Sequence, residues 1–80
     1  MITLNTAVAR EVSAELERQE MKPRVVKFWL NVGDRKASAL CKSEGQWTMA
    51  ELESVAEGMG VDLPEMLTRV AARVKRNQPA

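Results

Sequence analysis

Apolar residues return at helical intervals along most of the chain, and nowhere do they alternate as a half-buried strand requires. Val8, Val12 and Leu16 recur at four-residue steps beside Ala9, with Asn5 or Thr6 placed to cap them. This spacing predicts a first helix over about 6–19. Pro23 fits the first turn of a second helix, where its missing N–H costs nothing, and Val25, Val26 and Leu30 carry that helix to about residue 30. Asn31-Val32-Gly33 breaks the pattern, since asparagine and glycine both tolerate positive φ. A third helix over about 34–43 then puts Ala37, Leu40 and Cys41 on one face, capped by Gly33 or Asp34 and ended by Gly45.

The second half carries stronger punctuation. Thr48-Met49-Ala50-Glu51 reads as a capping box, Leu52, Val55, Ala56 and Met59 follow at helical spacing, and Gly60 stops the run, giving a helix over 49–59. Asp62-Leu63-Pro64-Glu65 repeats the start signal. Leu63, Met66, Leu67, Val70 and Val74 form the apolar stripe of a last helix over 63–76. The prediction is an all-α fold, a compact bundle of five short helices in one domain over residues 1–80.

Composition changes this picture mainly by exclusion. With 45% apolar and 29% charged residues the chain has an ordinary globular mixture. No apolar run exceeds three residues (Phe28-Trp29-Leu30 is one), so the sequence offers no membrane span and no signal peptide, and a cytoplasmic protein is expected. The chain has no histidine and a single cysteine, Cys41. A structural zinc site, an internal disulfide and the usual general base are therefore absent, and no glycine-rich phosphate loop is present. No enzyme, cofactor, metal or small-molecule ligand is expected. The net charge of +1 hides a sharper division. Residues 22–45 carry Lys22, Arg24, Lys27, Arg35, Lys36 and Lys42 against Asp34 and Glu44, a net of +4 between two acidic segments. A phosphate-binding surface would look like this, and so would a solvated basic face.

Two short helices joined by Asn31-Val32-Gly33 resemble a helix-turn-helix, in which the second helix enters the major groove. Trp47-Thr48-Met49, Leu52, Val55-Ala56 and Met59-Gly60-Val61, followed by Leu63, Met66 and Leu67, extend the likeness, as does Ala7-Val8-Ala9-Arg10-Glu11-Val12 through Leu16. Over about residues 5–70 the chain resembles the lambda-repressor-like family of phage repressors, Cro proteins and related bacterial regulators. That family usually has a small residue in the middle of helix two. With Asn31 at the turn position, Lys27 stands there; with Gly33 at that position, Trp29 stands there and Asp34 would be buried. Lysine can lay its stem on apolar surface and keep its ammonium wet, whereas an uncompensated buried carboxylate is costly. The Asn31 register is therefore preferred.

The resemblance implies a cytoplasmic, phage- or prophage-encoded transcriptional regulator that binds a double-stranded DNA operator as a homodimer. It implies base contacts from Arg35, Lys36, Ser38 and Ala39, with Arg35 or Lys36 on guanine O6 and N7, and phosphate contacts from Lys22, Arg24, Lys42 and Ser43. Val70, Val74 and Trp29 are candidates for the dimer surface. Helix two carries five apolar residues among positions 25–30, more than one face buries, so Phe28 or Trp29 packs elsewhere or stays exposed. Trp47 is expected over the loop before helix four, Cys41 in the core, and Arg69, Arg73, Lys75 and Arg76 beside the dipole of the last turn. The rival reading is a protein-binding module on the same fold: an antirepressor, an antitoxin-like partner or a binder of a host factor.

Overall fold

The computed structural model describes residues 3–76, and among them the fold is all helical: α1 (Leu4–Arg18), α2 (Val25–Leu30), α3 (Asp34–Cys41), α4 (Met49–Met59) and α5 (Leu63–Arg76). The last two helices begin and end where the sequence signals put them. At α4 the Thr48 hydroxyl accepts from the Glu51 N–H at 3.2 Å, and the Glu51 carboxylate accepts from the Thr48 N–H at 2.9 Å. Gly60 closes the helix at φ 71°.

One end of each of the first three helices differs from expectation. Thr3, not Asn5 or Thr6, caps α1, its hydroxyl accepting from the Thr6 N–H at 3.1 Å. Asn5 instead bonds across the fold to the loop after α3. Pro23 and Arg24 form a turn of i→i+3 bonds ahead of α2 rather than its first α-helical residues. α3 stops at Cys41 because Ser43, not Gly45, takes the left-handed conformation at φ 67°.

α1 packs on α5, α3 and α4; α2 packs on α3 and α4; and α4 packs on α5. No contact joins α5 to α2 or α3, so the last helix lies on the far side of the bundle from the second and third. The core draws Val8, Val12 and Leu16 from α1, Val26 from α2, Ala37 from α3, Leu52 and Val55 from α4, and Met66 and Val70 from α5. Val70 is 1% exposed. It belongs to this core and is not available as a dimer surface.

Two polar devices hold the helices in place. On α1, Glu11 and Glu15 are buried and face α5. Arg73 Nε donates to Glu11 at 2.9 Å, Arg69 to Glu15 at 3.2 Å, and Arg18 to both glutamates at 2.7 Å. Arg69 and Arg73 are thus tied into an ion-pair lattice, and the dipole of the last turn does not account for them. Asn5 is the second device: its Nδ2 donates to the Gly45 carbonyl and its Oδ1 accepts from the Trp47 N–H, both at 2.7 Å. Trp47 Nε1 in turn donates to the Leu40 carbonyl at 3.0 Å, so the loop after α3 is strapped to α1 and to α3.

Candidate nucleic-acid interface

The segment between α2 and α3 is fixed by its backbone. Asn31 is left-handed (φ 54°, ψ 49°), and the amides of Asn31 and Val32 donate back to the carbonyls of Phe28 and Lys27. This pair of bonds closes a helix C-terminus and turns the chain sharply. Gly33 is extended and caps α3 without a side-chain bond. Asn31 rather than Gly33 therefore holds the left-handed position, and Asp34 is exposed rather than buried. Val26 and Ala37 are buried, and Leu30 and Val32 pack partly against the core. Lys27 lies half-buried; its ammonium reaches Asp34 at 2.9 Å and stands 5.5 Å from the Phe28 ring centroid.

α3 faces inward through Ala37 and Leu40, which leaves Arg35, Ser38 and Lys42 on its outer side, all exposed. Arg35 and Lys42 form no ion pair among the described residues, and neither do Lys22 and Arg24, which are exposed at the entry to α2. The remaining predicted residues stand apart from this set. Ala39 is half-buried, and Ser43 is half-buried in the left-handed turn. Lys36 lies a further 100° round the helix from Arg35, toward α4, and its ammonium is 3.1 Å from Glu51 Oε2. The Glu51 carboxyl is only 14% exposed. Burial is the largest single influence on it and pushes its pKa up, but the Thr48 backbone amide, Lys36 and the Thr48 hydroxyl together hold it below the usual carboxylate value.

Sequence reasoning missed an open groove of about 430 Å³ where α1, the entry to α2 and α3 meet. Ser13, Arg24, Lys27, Asp34, Ser38, Cys41 and Lys42 line it, so three cations, one of them paired with Asp34, share one concavity with two hydroxyls. The four-residue step from Ser38 to Lys42 was readable; the presence of Ser13, from a different helix, was not. Cys41 is half-buried at this groove rather than enclosed in the core, and burial pushes its thiol pKa up. It is a neutral thiol at pH 7, and a poor nucleophile.

Comparison with models of known protein families, with curated proteins and with solved structures finds no match. Among the described residues, no three acidic, cysteine or histidine side chains cluster as a metal site, and no helix is long and apolar enough to cross a membrane. What the α2–α3 face offers is a row of unpaired cations and hydroxyls on and beside one short helix.

Of the proposed dimer residues, Trp29 lies half-buried against Gly58, and Val74 is half-buried on α5. Phe28 is the aromatic that stays outside, at 71% exposure.

Proposed function

We propose that this chain is a sequence-specific, double-stranded-DNA-binding transcriptional regulator of the Cro and repressor type, phage- or prophage-encoded, without catalytic activity or cofactor. In this reading α2, the Asn31 turn and α3 act as a helix-turn-helix. The observation that carries it is the outer side of α3: Arg35 and Lys42 are exposed and unpaired, with Lys22 and Arg24 nearby at the entry to α2, while the neighbouring cations Lys27 and Lys36 are spent on Asp34 and Glu51. Arg35 presents a forked donor suited to guanine O6 and N7, and Ser38 suits a base edge or a phosphate. Two copies acting as a homodimer in the cytoplasm would read inverted half-sites about one helical turn apart.

Selection of bound sequences from random duplex DNA is the direct test, followed by Arg35→Ala on the preferred site. That substitution is expected to cost about 1–3 kcal/mol of binding and to relax preference at one base pair, with the melting temperature nearly unchanged. Ala37→Lys is expected to disrupt folding because Ala37 is 4% exposed. No binding to any duplex at low salt would overturn the reading.

One observation favours the rival, a protein-binding module: Phe28 is 71% exposed, a large aromatic ring that the core leaves outside. Retention on heparin that fades with rising salt, with Phe28→Ser unaltered in DNA affinity, would decide for DNA.

A further inference from the structure

We propose that Glu51, on α4, is a positioning residue for the DNA face: it holds Lys36 away from the duplex, so that base reading by α3 falls to Arg35. This rests on the DNA-binding reading and deepens it. Lys36 and Arg35 are adjacent in sequence and alike in charge, and either could serve as the guanine-reading cation. Their surroundings separate them. Arg35 is exposed and free of ion pairs among the described residues, whereas the Lys36 ammonium lies 3.1 Å from a carboxylate.

That carboxylate is itself fixed. Its Oε1 accepts from the Thr48 N–H at 2.9 Å as one half of the capping box, which leaves Oε2 facing Lys36. A side chain pinned at the start of a helix loses little further freedom when it binds a cation, unlike two long side chains meeting on an open surface. The Glu51 carboxyl is mostly buried and remains charged at neutral pH. Withdrawal of Lys36 to a phosphate would leave that mostly buried charge without its cation, which disfavours the move. The capping box of α4 thus has a second consequence across the α3–α4 junction: it determines which cations of α3 meet DNA.

The test compares three variants with the unaltered protein by duplex binding across a salt series. Lys36→Met is expected to leave affinity within about twofold and to leave the log–log salt slope and the base preference unchanged. Glu51→Gln keeps the capping bond, since glutamine serves at that position, but releases the lysine. Its slope is expected to steepen by about 0.9, equivalent to about eightfold in affinity per tenfold fall in salt, for related and unrelated duplexes alike. The double variant Glu51→Gln/Lys36→Met is expected to return to the unaltered slope, a reversal that a general loosening of α4 would not produce. A shallower slope or a lost base preference in Lys36→Met alone would show that Lys36 already contacts DNA, and would overturn the proposal while leaving the DNA-binding reading intact. Failure of the unaltered protein to bind any duplex would overturn both. Should Glu51→Gln melt early, the Lys36→Met arm decides by itself.

Discussion

Among the described residues, three of the four left-handed positions are held by residues other than glycine: Glu20 at φ 57°, Asn31 at φ 54° and Ser43 at φ 67°. The left-handed region is disfavoured for a residue with a Cβ, least so for asparagine, so Glu20 and Ser43 hold conformations they resist. At Glu20 the geometry is a helix-closing pair, with the Glu20 and Met21 amides donating to the carbonyls of Glu17 and Leu16. Glu20→Gly is therefore expected to stabilise the protein by about 0.5–1 kcal/mol, read as a rise in melting temperature. Glu17→Gly, three residues earlier inside α1, is expected to destabilise by about 1 kcal/mol. If both changes act in the same direction, the left-handed conformation of Glu20 is not what limits stability there. The first helix ends within a residue of where its apolar spacing put the end, but the residues that turn the chain there and after α3 were not legible in the sequence. Gly60 announces the end of α4, but nothing marks a glutamate or a serine as the residue that will turn left-handed. Asn31 was legible because asparagine tolerates that region and the alternative register required a buried aspartate.

At the scale of helices, the joint between α1 and α5 depends on charge as well as on apolar contact. The Glu15 carboxyl is held below the ordinary carboxylate pKa, first by the hydrogen bond from Gln19, then by that from Arg18, with the charges of Arg18 and Arg69 adding to it against the effect of burial. A carboxylate with a lowered folded-state pKa contributes stability that is complete above its unfolded value and is lost as pH falls through the folded one. Stability is thus expected to fall below about pH 4.5, and Glu15→Gln should narrow the difference in melting temperature between pH 7 and pH 3. An undiminished difference would assign the acid sensitivity to other groups. This lattice left a trace in the sequence: Glu11 and Glu15 are four apart, as are Arg69 and Arg73, so each pair stacks on one helix face. What periodicity cannot reveal is that those two faces meet. The α2–α4 joint has a different basis. A Cβ added at Gly58 would lie 2.4 Å from the Trp29 ring, so that tryptophan is accommodated only because α4 has no side chain there. Gly58→Ala should destabilise by about 1–3 kcal/mol even though alanine is the better helix former, and should turn stabilising in a Trp29→Leu background. An isolated glycine inside an otherwise well-signalled helix was the available clue to this contact.

Over the whole molecule, the charges divide by side. The cations of α5 nearest the core, Arg69 and Arg73, are bound to Glu11, Glu15 and Glu65, whereas Lys22, Arg24, Arg35 and Lys42 gather around α2 and α3, which α5 does not touch. The segment charges read from the sequence pointed to the basic middle third, but the burial of two glutamates on the opposite joint emerged only with the fold. A molecule arranged in this way should meet a polyanion on one side. Lys22→Ala/Arg24→Ala is accordingly expected to weaken binding to all duplexes alike and to flatten the log–log salt slope by about 1.8, which is about 0.9 for each phosphate contact removed. The pair removes two exposed side chains from a turn, so the melting temperature should stay within a few degrees. Lys75→Ala/Arg76→Ala removes the same charge from the end of α5 and should leave the slope unchanged if the polyanion approaches only the α2–α3 side. Equal flattening by both pairs would mean that net charge alone governs binding, and that the basic middle third of the chain is a solvated surface rather than a DNA interface.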